Sequence, residues 1–577
     1  MEEKTEHKTK IGCNILEMLM FNLYDEHKTI YREYLQNACD SINEAIAQGI
    51  LESQNEGRVN IHIDKQKRLI KIEDNGTGIS ISSSEAVLKD IANSNKSIKS
   101  TPQAGFYGIG RLVGAGYCEK LTFVTSAKGE DVKSILSYDI VSMKKKLEIS
   151  RNSEHDKLEA CSVIDSVTSF WTEEEDVDMH YFRVILERVN NEYRDLLDEE
   201  EVYSYLAQVA PIPFSPVFTQ NLLLTQLKKV DKFYSDCYKK LNMVKISTDN
   251  HYDINKLYNL HISGTGDEIK GLRFFTFEDE QYGKLAWGWY AITQFSKAIP
   301  QEDSSHNPVL TRGIRLRVHN IQIGNDDYFG GIKYFKQPRG NKYFNGEIHI
   351  LHKDIYPTAN RSGLAPTIVK DILEEKLKEF FNGELQKCYT EANIMKNGIK
   401  QVFELEQKLE EMSTIVSEDS ATSEDKRQYD HLQQELTKQR EKVNKNINRN
   451  EEENLGLKLV RDTIYKPLWD DKKKVWDETN SLSQSDKSKT SSLPCSKKNM
   501  DNDVNGNHNV KDASNGKTKQ DPIAEKLEML KSNGAVESYD MVEKILALLD
   551  KYHGQVTTKV IKSMKNAILD MLNERTR

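Results

Sequence analysis

REYLQNACDSI, residues 32–42, reads as a helix with two faces. Tyr34, Leu35, Ala38 and Ile42 step by three and four, and Tyr31 and Ile46 continue the same buried stripe. Glu33, Asn37 and Asp40 stand at i, i+4 and i+7, so they project together from one side of the helix, beside that stripe. Polar groups in that position face a cavity rather than bulk water. A carboxylate there can orient or deprotonate a water molecule. An amide oxygen one turn later can hold Mg2+, a hard cation that prefers oxygen. Alone, the triplet reads more simply as the solvated edge of an amphipathic helix.

The neighbouring sequence narrows the choice. The helix belongs to a mostly helical stretch, Ile11 to Ile50, broken near Asp25–His27. Next, VNIHID (59–64) and RLIKIED (68–74) alternate with period two and read as a strand pair. The second runs into EDNGTGIS (73–80), where Asn75-Gly76 turns the chain. A carboxylate held at that turn by Asp74 can accept a hydrogen bond from an exocyclic amine, such as the N6 amine of adenine. Gly76 and Gly78 would let a flat base lie against backbone. An ordinary hairpin turn explains Asn-Gly equally simply. AGFYGIGRLVGAG (104–116) then sets Gly105, Gly108 and Gly110 in a G-x-x-G-x-G pattern ahead of an apolar run. Backbone amides at such a point can hold phosphate. No Gly-Lys-Ser/Thr follows, and the glycine order differs from the dinucleotide fingerprint. Strands are expected at 120–126, 133–138 and 182–187.

The order of the three motifs is far more specific than any one of them. A helix with E-x3-N-x2-D, a strand ending in D-N-G-x-G, a polar stretch and then G-x-x-G-x-G resembles the gyrase, heat-shock-protein-90, histidine-kinase and MutL ATPase superfamily. Within it the chain most resembles a divergent, bacterial-type heat-shock-protein-90 chaperone. ILEMLMFNLYDEHKTIYREYLQNACDSI looks like that family's first two helices, IANSNKS (91–97) like the start of its ATP lid, and GFYGIGRLVGAGYCEKLTFVTSA (105–127) like the lid's end and the next strand. The resemblance covers about 11–215, is weaker over 216–365, and stops there. It implies ATP and Mg2+ as ligands. Glu33 would be the general base, Asn37 the Mg2+ ligand and Asp74 the reader of adenine, with Gly76 and Gly78 beside it. Gly105, Gly108 and Gly110 would hold the phosphates, and Asp40 would line the pocket. GEIHILHKDIYPTANRSGL (346–364) resembles the family's strand and loop whose arginine reaches the γ-phosphate, which makes Arg361 a catalytic candidate; a surface arginine in an ion pair is the simpler alternative. Departures are visible. The family's lid lysine falls at Asn93, with Lys96 and Lys99 nearby. Phe182-Arg183 replaces the Gly-Thr that opens the last strand, and Arg111 replaces an aromatic residue.

The expected architecture is α+β. A Bergerat-type α/β sandwich nucleotide domain spans 10–215 and an α/β middle domain 216–365, with the Pro-rich PIPFSP (211–216) at the junction. In the middle domain FFTF, AWGWYAI, IRLRVHNIQI and GEIHIL are the β-rich runs. A long helical region spans 366–478. Leu385, Cys388, Ala392, Met395, Ile399, Val402, Leu405, Leu409 and Met412 form one seam, and Tyr429, Leu432, Leu436, Val443 and Ile447 a second. A polar break at 413–425 suggests an antiparallel hairpin with arms of about 60 Å. Such a hairpin packs on its own chain, dimerises or binds a partner. Residues 479–521 are too polar to order and read as a disordered linker, which limited proteolysis should cut first. A small helical module closes the chain at 522–577.

Composition bounds the function. The chain has 577 residues, 37% hydrophobic and 30% charged, enough for about three or four domains. Its 81 basic and 90 acidic residues give a net charge of −9, so no whole-chain footprint for nucleic acid is present, although a local basic groove is left open. No run of 18 or more apolar residues is present to make a membrane-spanning helix. The N-terminus lacks the pattern of a secretory signal. Seven scattered cysteines with no C-x-x-C fit the cytoplasm. The expected function is a slow, Mg2+-dependent ATPase acting as an ATP-driven, chaperone-like clamp, with a homodimer and an unidentified client as candidate partners. A DNA-acting clamp resembling MutL or MORC proteins, or a nucleotide-binding scaffold without turnover, are the alternatives. A histidine kinase does not fit, because no helix with a phospho-accepting histidine precedes the motifs.

Overall fold

Period-two alternation builds the first sheet. In β1 (Arg58–Asp64) Val59 and Ile61 are buried while Arg58, Asn60 and His62 face outward. In β2 (Leu69–Asp74) Ile70, Ile72 and Asp74 take the buried side. The computed structural model describes residues 11–21, 26–91, 110–153, 158–331, 333–417, 420–449, 454–474 and 476, all within the compact unit Met1–Ser488. Strands β3 (Lys120–Ser126), β4 (Val132–Asp139), β5 (Thr168–Glu174), β6 (Tyr181–Glu187) and β7 (Lys245–Ser247) complete a seven-stranded sheet in the order β5-β4-β3-β6-β2-β1-β7. Helices α1 (Asn14–Phe21), α2 (Thr29–Ala47), α3 (Ile81–Lys89), α4 (Ile140–Asn152), α5 (Ala160–Val167) and α6 (Glu199–Val209) share one continuous core with the sheet. This is an α/β sandwich with its helices on one face.

β7 lies beyond the Pro-rich junction expected at 211–216, yet it pairs parallel with β1 through Arg58–Lys245 to Asn60–Ser247. Val244, Ile246 and Ile254 belong to the first core. The first sheet is therefore completed by chain from past residue 215, and the boundary drawn there cuts through it. The physical reason is that β1 would otherwise be an edge with unpaired N–H and C=O groups.

The second sheet has the order β11-β10-β12-β9-β8, built from β8 (Gly271–Asp279), β9 (Gly283–Ile292), β10 (Gly313–Val318), β11 (Ile321–Ile323) and β12 (Asn345–Ile350). IRLRVHNIQI is not one run but a hairpin: His319 and Asn320 turn the chain with φ of 51° and 64°. The sheet has a core on each face. One contains Phe214, Phe218, Trp287 and Trp289 beside α7 (Lys232–Lys239). The other contains Tyr290, Leu316 and Ile348 against α8 (Ile368–Phe380) and α9 (Gln386–Ser417).

α9 and α10 (Ser423–Ile447) form the expected antiparallel hairpin, with Gln439 on Gln401 and Arg440 on Glu406. The break is shorter than 413–425, because α9 continues to Ser417 and Thr422 opens α10 with a capping box. Arms of 32 and 25 residues are about 48 and 37 Å long, not about 60 Å. The seams are buried near the sheet, at Cys388, Ala392, Met395, Ile399 and Val402, and open to solvent toward the tip. α11 (Leu455–Val460) returns the chain to the second core. The expected linker 479–521 and module 522–577 lie outside the described residues. Among the described residues no helix is long and apolar enough to cross a membrane.

Candidate active site

Glu33 on α2 is 6% exposed, and Asn37 one turn later is half-buried. Glu33 Oε1 accepts a hydrogen bond from Arg361 Nε at 2.8 Å. Its other oxygen faces Gly110: a Cβ built on Gly110 would come within 2.9 Å of Oε2. Three distant parts of the sequence, Glu33, Gly110 and Arg361, therefore meet. Arg32 flanks them, with Nε 3.8 Å from Glu33 Oε1 and Nη2 donating to the Asn360 carbonyl at 3.2 Å.

The loop after β12 is built to hold Arg361. Asn360 Oδ1 accepts from Thr358 Oγ1 at 2.9 Å and from Ser362 Oγ at 2.8 Å, which closes a tight turn. Arg361 donates its N–H to the Thr358 carbonyl at 2.9 Å, and its own carbonyl accepts from Gly324 at 2.9 Å. The backbone of Arg361 sits at φ 57°, a conformation costly for a side chain of this size and kept only when its surroundings over-determine it.

Asp74 ends β2 and is 4% exposed. Burial pushes its carboxyl up to about 7, against the opposing pull of the Gly76 N–H at 2.9 Å and the Ser41 hydroxyl. The turn that follows presses onto α2. A Cβ on Gly76 would meet Ser41 Oγ at 2.0 Å, and Thr77 N donates to that same oxygen at 3.1 Å. Gly78 has φ +66°, and a Cβ there would strike the Ser126 carbonyl oxygen at 1.8 Å. No other residue fits. Thr125 Oγ1 accepts from Ile79 N at 2.8 Å and donates to the Tyr181 carbonyl at 3.0 Å, fastening the turn to β3 and β6. Where the resemblance led one to expect Gly-Thr, Phe182 stands opposite Asp74 in register and stacks on Phe123, while Arg183 pairs with Glu73 at 2.6 Å.

Asp40 is 5% exposed and lines a cavity of about 680 Å³ between α2 and the second sheet, together with His319. The stripe that begins at Glu33 and Asn37 continues instead at Ser41, four residues on, and it is Ser41 that touches the Asp74 turn. Four-residue spacing would have identified Ser41; nothing in the sequence marks Thr125. Gly105, Gly108, Asn93, Lys96 and Lys99 lie outside the described residues.

Residues 27–170 match the family described as histidine kinase-, DNA gyrase B-, and HSP90-like ATPase. That segment carries Glu33, Asn37, Asp74, Gly78 and Gly110 on the sheet and helices described above. The segment is similar to that ATPase family. Two proteins named chaperone protein HtpG, from Geobacter metallireducens and Geobacter sulfurreducens, are each 24% identical to the chain over 133 residues. The similarity covers 20% of this chain and 20% of each relative, so the chain spans about a fifth of the length of the curated relatives it matches. The match to the HSP90-like ATPase family ends before β6, and Arg361 lies far beyond it.

Proposed function

We propose that the chain binds ATP with Mg2+ and hydrolyses it slowly, as an ATP-driven conformational clamp of chaperone type. The observation that carries this reading is the buried Arg361–Glu33 contact, which joins the ATPase domain to a loop of the second sheet. The residues suit the ligands. Gly110 leaves open the space beside Glu33 Oε2 that a side chain would fill, and Asn37 offers an amide oxygen one turn from Glu33. Asn37 would hold Mg2+, which would neutralise phosphate charge when bound.

Glu33 takes the proton of the attacking water as the water's oxygen bonds to the terminal phosphorus. The bond to the leaving oxygen of ADP breaks, and inorganic phosphate is released. Arg361, with a planar fork suited to phosphate oxygens, faces the charge that develops there. Asp74 accepts from the adenine amine, against backbone at Gly76 and Gly78. Gly110, with Gly105 and Gly108, supplies phosphate-facing amides. Because the acid and the arginine come from different sheets, turnover depends on how the sheets meet. That dependence would let hydrolysis drive a shape change, transmitted through the α9–α10 hairpin to a second copy or a client protein. No disulfide joins the described cysteines to one another, which would suit the cytoplasm.

The test is Arg361→Ala in the full chain. ATP affinity should stay near that of the parent while single-turnover hydrolysis falls about 10- to 100-fold. Arg361→Lys should restore little, because a point charge does not reproduce the fork. Hydrolysis at the parental rate in Arg361→Ala would remove the second sheet from the chemistry.

A further inference from the structure

The cavity between α2 and the second sheet has walls of unusual chemistry. Its volume of about 680 Å³ lies within the range of small-molecule sites, roughly 300–1,000 Å³. Asp40 and Glu44 form the α2 wall, and Trp287 and His349 the facing wall. The imidazole of His349 stacks on the indole of Trp287, with ring centroids 4.9 Å apart and planes at 15°. Lys240 also lines the cavity and is exposed.

His349 is the telling group. It is 2% exposed. Its Nε2 lies 3.1 Å from Glu347 Oε2, a carboxylate that Arg317 and Lys256 keep charged, but without the geometry of a hydrogen bond. Burial lowers the pKa of His349 to about 4, so the ring is neutral, with one donor and one acceptor nitrogen. Neither ring nitrogen has a hydrogen-bond partner. A buried imidazole left unsatisfied is costly, and its acceptor nitrogen calls for a donor. His319, at the strained tip of the β10–β11 hairpin, is likewise kept neutral by burial. The walls thus combine two carboxylates, an orphaned imidazole nitrogen and an aromatic surface. They would repel phosphate or carboxylate and attract a group that is cationic and rich in N–H donors.

We propose that this cavity is a second ligand site, separate from the nucleotide site, that takes a small diffusible organic cation bearing a guanidinium or primary ammonium group.

Agmatine, with one such group at each end, is the probe. Isothermal titration of the full chain should give saturable binding, without ATP present. 4-Guanidinobutanoate, which replaces the amine by a carboxylate, should bind at least about tenfold more weakly. Glu44→Lys, at an exposed helix position, should weaken agmatine by about tenfold or more while leaving thermal unfolding near the parent value. His349→Phe keeps an aromatic ring on Trp287, removes the acceptor and should weaken binding several-fold. Cys237 in the cavity wall supplies a second readout: agmatine should slow its alkylation by iodoacetamide but not that of exposed Cys161. The proposal is overturned if agmatine does not saturate, if Glu44→Lys binds like the parent, or if both cysteines react at unchanged rates. None of these outcomes depends on ATP hydrolysis, so the site can fail while the ATPase reading stands.

Discussion

Asp74 and Glu33 are both buried acids packed near the first sheet, and their surroundings differ. Burial above all, with the Glu73 charge beside it, raises the pKa of Asp74 to about 7, and this has a consequence for stability. Unfolded, it titrates near 3.8. Between those values the folded state keeps a proton that the unfolded state has lost. The contribution of Asp74 to stability is therefore full below about pH 4 and lost as pH rises through 7. Asp74→Asn removes that loss, so its unfolding free energy should gain on the parent between pH 4 and pH 7, by on the order of a few kcal/mol, read from thermal unfolding. The same variant should bind ATP roughly 5- to 150-fold more weakly, because an amide can turn an N–H toward the adenine amine. Calorimetry at pH 8 that finds equal affinity would take Asp74 out of the site. Glu33 carries the opposite expectation. Glu33→Ala should bind ATP but hydrolyse it at least tens-fold slower, as loss of a general base implies; equal single-turnover rates would leave the reaction without its assigned base. The motif order, through the resemblance, proposed a task for each carboxylate. The partner of Glu33 was not, since only folding brings Arg361, 328 positions away, to its side. Ser41 and Asp40 show the limit of helical spacing. Positions i+7 and i+8 differ by about 100° around the helix, and that angle decides which one meets the Asp74 turn and which one the cavity.

At the scale of elements, the strands with strong alternation were legible and those without it were not. β1, β2, β3, β4 and β6 carry apolar residues on every second position over part of their length. β5 does not: Phe170 and Trp171 are followed by an acidic run, as tolerated at a sheet edge where side chains meet water. α3 was missed because it begins with serines. One of them, Ser84, is fully buried and bonds to Ser134 at 2.9 Å, a polar contact that no hydrophobic pattern shows. The β10–β11 hairpin was missed because its turn uses His319-Asn320 rather than glycine. β7 is the most consequential element. A fragment ending at residue 215 would leave β1 as a bare edge and omit Ile246, which is completely buried. Deleting one such buried side chain costs about 2–5 kcal/mol. The fragment 1–215 should therefore melt well below the fragment 1–255 and aggregate more readily. Matching melting curves for the two fragments would mean that β7 adds nothing to the first sheet.

Across the whole molecule, the two sheets are tied by buried charge as well as by apolar contact. Glu347 is fully buried and accepts from Arg317 at 2.5 Å, Lys256 at 2.9 Å and Tyr258 at 3.2 Å. Arg317 also donates to the Gln208 carbonyl at 2.7 Å, near the C-terminal end of α6, where a helix presents negative partial charge. The second sheet thus grips a helix of the first through a single carboxylate that holds its cations in place. Burial, with Arg317 next in weight, lowers the pKa of Lys256 to about 7, a sign of how finely this charge is balanced. Glu347→Ala leaves both cations buried without their counter-ion and should cost about 3–5 kcal/mol. Thermal unfolding should detect that loss, and ATP turnover should fall with it although Glu347 lies outside the candidate active site. An unchanged melting curve would show that the cluster does not hold the sheets together.

The span between Glu33 and Arg361 also has a meaning in time. A ribosome adds about 5–20 residues per second, so the carboxylate precedes its arginine by roughly 15–65 s. β7 follows β1 by a shorter but similar delay. During that interval the nascent N-terminal sheet has one unprotected border, and Glu33 lacks the arginine beside it. On the proposed mechanism the growing chain can take up nucleotide but not spend it, and the order of synthesis serves as a safety catch released only when the loop after β12 has emerged.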